Sequence, residues 1–226
     1  MSKPVIVKVI VEGQTEESFI KRVLAPNLFS NNIFMTPKIL AKKGQKGGNV
    51  TFEHVKTDAA VYLRQSNVTA VSCFVDYYGL KEWPNKDTIA PNATPKQIAD
   101  ILNGAAKAEM CTKYDVLDPA KRFIPFVMVH EFETLLFSDA EILAQRLGIA
   151  QKCVEATIEQ CGSPEQINNS RETAPSKRLL QWTDNHYNKV LTGIEIAQAI
   201  GIDKMRQACP LFNEWLTAIE ALQEEA

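Results

Sequence analysis

The chain has 226 residues, 45% of them hydrophobic and 23% charged, with a formal net charge of −2. That is the composition of one soluble globular unit with a proper core, and it excludes a protein that grips nucleic acid or membrane through bulk charge; a phosphate-binding surface must be local. The five cysteines are scattered with no CxxC pair and no histidines at ligand spacing, which excludes a zinc site or a disulfide framework.

Residues 5–11 are almost unbroken in β-branched character and predict a fully buried strand of a parallel sheet. The run stops at Glu12 and Gly13, and Thr15, Glu16 and Glu17 open a helix through Phe19, Ile20, Val23 and Leu24 that ends near Pro26. Glu12 is thereby expected at the carboxyl end of a central strand, where open α/β sheets hold their ligands. A second strand is expected over 33–40, at a sheet edge because Pro37 interrupts it. Lys42, Lys43 and Lys46, interleaved with Gly44, Gly47 and Gly48, form a basic loop suited to anions but without P-loop spacing.

Helical spacing over 52–65 leads into a second buried strand over 68–76, which again ends on an acid, Asp76, before Gly79. Two strands ending in this way bring Glu12 and Asp76 to one sheet edge, within reach of a shared cation. Residues 81–94, with Trp83, Pro84 and Pro91, form a long loop of the kind used for lids and binding. Thr94 and Pro95 then start a helix to about 110. The apolar run 123–129 is a third strand, entering His130, Glu131 and Glu133; if these are extended both glutamates share a face, and if helical only one reaches the site. From Ser138 onward the pattern is helical, and Pro175 and Ser176 open a helix that carries Lys177 and Arg178, two cations at a phosphate-friendly position. Lys189, Asn185, His186 and Tyr187 form a further polar cluster.

Val11-Glu12-Gly13-Gln14-Thr15-Glu16, with Val75-Asp76 at a later strand end, resembles the Toprim fold of bacterial primases, topoisomerases and overcoming-lysogenization-defect nucleases. The whole chain, through DYYG at 76–79, HEFE at 130–133, APSKR at 174–178 and CPLFNEWL at 209–216, is similar to a bacterial family of stand-alone Toprim-like proteins of unknown function. Members of that family are commonly encoded beside ATPases, which implies a role in phage defence. The resemblance makes Glu12 the Toprim glutamate, an acid, base or Mg²⁺ holder, and Asp76 the first aspartate of the DxD pair. Tyr78 stands in place of the second aspartate and cannot ligate as a carboxylate does.

The expectation is an α/β protein: a Toprim-like, mostly parallel sheet flanked by helices over 1–137, and a helical lobe over 138–226 packed on it. The expected activity is Mg²⁺- or Mn²⁺-dependent phosphoryl transfer, most concretely endonucleolytic cleavage of nucleic acid, beside an ATPase partner. Glu12, Asp76, Glu131 and Glu133 are the expected catalytic residues, with Glu12, Asp76 and Glu133 on the metal and Lys177 and Arg178 on phosphate. The expected location is cytoplasmic, with no membrane contact and with a homo-oligomer compatible. The alternatives are a non-catalytic regulatory partner of an ATPase and a nucleotide-sensing module.

Overall fold

The computed structural model describes residues 3–40, 50–167 and 172–224; the basic loop with Lys42, Lys43 and Lys46 lies outside them. Four parallel strands, β1 (Val5–Val11), β2 (Ile33–Ile39), β4 (Ala70–Asp76) and β6 (Phe123–Met128), form a sheet in the order β2-β1-β4-β6, and β3 (Val50–Thr51) pairs with β5 (Leu80–Glu82) in a small parallel ribbon. The helices are α1 (Gln14–Phe19), α2 (Ala25–Phe29), α3 (Phe52–Leu63), α4 (Pro95–Tyr114), α5 (Pro119–Arg122), α6 (Ala140–Leu147), α7 (Gln151–Cys161), α8 (Pro175–Trp182), α9 (Ile194–Ile200), α10 (Ile202–Ala208) and α11 (Pro210–Glu220). This is the expected α/β architecture with its helical C-terminal part.

The two inner strands are those the apolar runs predict. Val5, Val7, Val9, Ile10 and Val11 of β1 and residues 70–75 of β4 are buried on both faces, as strands covered by helices on either side must be. β2 alternates buried and exposed positions at the sheet edge, where the missing N–H of Pro37 costs no ladder bond on the outer side. Pro125 likewise sits on the outer strand β6, opposite Cys73.

The first helix departs from its expected end. It does not stop at Pro26 but passes through a π-helical turn, Ile20–Leu24, and resumes as α2, with Ala25 N–H donating to the Ile20 carbonyl. The wider turn absorbs a proline that donates no hydrogen bond.

The C-terminal helices share the core of the sheet. Trp215 of α11 stacks on Phe126 of β6 at 4.7 Å and 8°, and on Phe74 of β4 at 5.4 Å. Its indole N–H donates to the Ser72 hydroxyl at 2.9 Å, which removes the cost of burying that group. Arg122 ties β6 to the chain entering β4, donating to the carbonyls of Leu63, Val68 and Thr69. The 81–94 loop is pinned: Trp83 donates to the Leu102 carbonyl at 3.1 Å and packs edge-on against Phe52 at 5.0 Å.

Candidate functional site

Because β1 and β4 are parallel neighbours with Val11 opposite Phe74, their carboxyl ends lie side by side and deliver Glu12 and Asp76 to one edge. Glu16, in the first turn of α1, folds back so that its carboxylate accepts the Gly13 N–H at 2.9 Å. It is 6% exposed, and burial pushes its pKa up to about 7, with Glu12 and Glu133 adding repulsion against a backbone hydrogen bond and Lys189. Asp76 is raised well above the ordinary carboxylate range by burial and by Glu16 and Glu12, with Lys189 opposing. Its Oδ1 is buried and has no hydrogen-bond partner among the described residues.

Turn Tyr77–Gly79 follows Asp76 directly. A Cβ built on Gly79 would overlap the Glu12 carboxylate, with Cδ at 2.8 Å, so only glycine here lets that carboxylate keep its present position. Tyr78, where an acid was expected, is 44% exposed and lies against the His130 ring at 5.6 Å.

The third strand contributes through a sharp turn. His130 adopts a left-handed backbone at φ 76°, a conformation that costs ~1–3 kcal/mol for a non-glycine residue, and its carbonyl accepts the Tyr78 N–H at 3.4 Å. Its ring is 2% exposed and burial lowers its pKa to about 4, so it is neutral. Glu131 is extended and Glu133 lies in the 3₁₀ segment Phe132–Ser138, neither wholly strand nor wholly helix. Both meet Lys189, whose ammonium donates to Glu131 Oε2 at 3.2 Å and to Glu133 Oε2 at 2.9 Å. The second Glu131 oxygen accepts the N–H of Ser176 at 3.0 Å and its hydroxyl at 2.8 Å, satisfying the start of α8. Glu133 is fully buried and its other oxygen accepts the Tyr187 hydroxyl at 3.4 Å.

Burial raises the Glu133 pKa against the pull of Lys189. For Lys189 burial acts downward, yet Glu133, Glu131 and Asp76 together hold it above its ordinary value. The lysine is the internal counter-ion of the cluster. Glu12, Asp76 and Glu133 lie within electrostatic range of Glu16, and Glu131 joins them through the Lys189 ion pair it shares with Glu133. Glu16, which the sequence marks only as a helix opener, is the acid added to the four expected ones, and Tyr187 and Ser176 bond the two glutamates. The Glu12/Glu16 spacing across a strand-to-helix turn is the one local signal for the fifth acid.

Lys177 and Arg178 follow Ser176 on α8. Lys177 is exposed, and Arg178 donates to the Thr173 carbonyl at 2.9 Å. The N–H of Ser176 that phosphate would use is taken by Glu131.

The donor set suits a hard cation: carboxylate oxygens, one of them an orphaned buried atom of Asp76. Among the described residues no three His, Cys, Asp or Glu side chains already stand at ligand spacing, and Glu133 is engaged by Lys189. Mg²⁺ is commonly held by one or two carboxylates, with waters and substrate oxygens completing its shell, and Glu12 and Asp76 are the residues that could supply them.

The described residues contain no helix long and apolar enough to cross a membrane. Among solved structures the chain is similar to the C-terminal region of the Xanthomonas campestris pv. campestris OLD protein, at 17% identity and a TM-score of 0.41, over 97% of this chain and 96% of that one. A search of curated proteins finds no match. A family model matches residues 11–220, nearly the full length, and the chain belongs to that family, the domain of unknown function DUF4276.

Proposed function

We propose that the strand-end acids form a divalent-metal phosphoryl-transfer centre and that the protein is a nucleic-acid endonuclease working with an ATPase in phage defence. The observation that carries this reading is Asp76, whose Oδ1 is buried with no partner among the described residues while Glu16 and Glu12 oppose its ionisation. A carboxyl crowded by other acids with an unpartnered buried oxygen is costly to ionise in a core and is expected where a cation binds. Glu12 and Asp76 would hold Mg²⁺ or Mn²⁺, which supplies an activated water and neutralises charge developing on the phosphate. Glu16, beside Glu12 in the first turn of α1, is the acid placed for proton exchange with water at the site. Lys189 keeps Glu131 and Glu133 in place and offers its ammonium at the rim, since its side chain is 43% exposed. Lys177 and Arg178 are the proposed phosphate contacts beyond the start of α8. The ATPase partner and the defence role rest on the resemblance of the motifs to stand-alone Toprim-like proteins.

One observation favours the non-catalytic reading. Lys189 already bridges Glu131 and Glu133, so that half of the cluster has a cation of its own without metal. Cleavage of plasmid, single-stranded DNA and RNA in Mn²⁺, compared with Glu12→Gln and Asp76→Asn, separates the two. Metal-dependent cleavage lost in both variants supports the nuclease; no cleavage and no Mn²⁺ binding by the wild type would place the partner-subunit reading first.

A further inference from the structure

The acidic centre is bordered by a cleft of 380 Å³ whose walls are Tyr77, Tyr78, Lys86, Ile89, Pro91 and Ile98. The two features share one turn, since Tyr77 and Tyr78 lie between Asp76 and the Gly79 that seats Glu12. We infer that this cleft receives an unpaired nucleobase beside the acidic cluster, which makes the substrate class single-stranded or locally opened nucleic acid. The inference rests on the phosphoryl-transfer reading and deepens it.

Three features carry it. The cleft walls mix the rings of Tyr77 and Tyr78 and the side chains of Ile89, Pro91 and Ile98 with polar surface that includes Lys86, and its volume falls in the ~300–1,000 Å³ range of small-molecule clefts. Tyr77 and Tyr78 present adjoining rings, 5.9 Å apart and 39° inclined, with His130 behind Tyr78 at 5.6 Å, so the exposed tyrosine is backed rather than free to swing. The opposite wall is fixed. Lys86 bonds the Leu80 carbonyl and sits 5.6 Å from the Tyr77 ring centroid, while Trp83 anchors the same loop to α4. A preformed slot with the exposed Tyr78 ring on one side and Lys86 lying over the face of Tyr77 fits a flat, electron-rich heterocycle. A base within a duplex is covered by its neighbours on both faces and reaches such a slot only by leaving the stack. The position at which an acid was expected therefore carries a ring that reads the base next to the reacting phosphate.

The test is binding in EDTA, where no cleavage interferes, with a short single strand carrying 2-aminopurine, its duplex, and AMP as a free-nucleotide competitor. The strand is expected to bind roughly tenfold or more tightly than the duplex. Tyr78→Ala should weaken the strand about tenfold and abolish the change in 2-aminopurine fluorescence, and Tyr78→Phe should restore both. Ala93→Trp, which fills the cleft from its rim, provides a second arm should Tyr78→Ala fold poorly, and is expected to give the same loss. Equal affinity for strand and duplex, or indifference to both blocking variants, overturns the inference; AMP binding as tightly as the strand overturns the polymeric substrate. Strand preference without metal-dependent cleavage would overturn only the nuclease reading, and duplex cleavage unaffected by Tyr78→Ala would overturn only the base cleft.

Discussion

The Glu12 carboxylate rests on the backbone of Gly79, with its Cδ 2.8 Å from where a methyl group would stand. The turn after β4 thus sets the position of an acid from β1. Gly79→Ala is expected to displace the Glu12 carboxylate at little cost to stability, because the clash falls on the end of a flexible side chain. Mn²⁺ affinity, read by isothermal titration, should fall at least tenfold while the far-ultraviolet circular dichroism stays native. Unchanged affinity would mean that Glu12 is not held for a ligand.

Glu12 and Asp76 are expected to bind one cation jointly. Isothermal titration should show Mn²⁺ binding in the wild type that weakens in both Glu12→Gln and Asp76→Asn. Without metal the Asp76→Asn variant should melt at a higher temperature, because it removes a buried charge crowded by Glu16 and Glu12. A lower melting point without metal would show that the acid serves the fold.

Lys189 should matter to stability more than a surface lysine does. Lys189→Met leaves two glutamates, one of them fully buried, without their counter-ion. Because the lysine side chain is 43% exposed, water compensates part of the loss, and ~1–3 kcal/mol is expected in urea unfolding. Adding Glu133→Gln to Lys189→Met should recover part of it. Additive losses in that cycle would show that the two groups are not coupled.

Replacing Lys177 and Arg178 together with alanine should weaken oligonucleotide binding and reduce its salt dependence. The slope against log salt should flatten by about 0.7 for each lost contact to a single strand. Wild-type affinity and slope in the double variant would leave these residues as ordinary surface cations.

Glu165 supplies a pH dependence remote from the acidic centre. It is 4% exposed and accepts the N–H groups of Leu211 and Phe212 at the start of α11, yet burial outweighs those bonds and lifts its pKa from 4.5 to about 7, with Glu214 adding repulsion. A carboxyl whose folded pKa is raised stabilises fully below about 4.5, and that contribution disappears as pH rises through about 7. Glu165→Gln should therefore shrink the stability difference between pH 5 and pH 8 by on the order of 1–3 kcal/mol in urea unfolding. An unchanged pH profile would show that Glu165 is charged throughout that range.

Local sequence determined the strands and what stands at their ends. Residues 5–11 and 70–75 are apolar on both faces but for Lys8 and Ser72, and the chemistry changes abruptly at Glu12 and Asp76, so a buried parallel strand ending in an acid is legible without the fold. Pro37 and Pro125 likewise betray outer strands, because their missing N–H groups are tolerated only there. Pro26 misleads, since a π turn set by packing carries the helix past it. The make-up of the site lies beyond such reading. Lys189 is 58 and 56 residues from the glutamates it bridges, Trp215 is 143 from the serine it satisfies, and Gly79 seats a carboxylate from another strand. Lys189 carries no local mark that sets it apart from other lysines on helical segments. Which cation neutralises a buried acid is decided by chain closure and core packing, which bring distant segments together after the local pattern has been spent on making each of them.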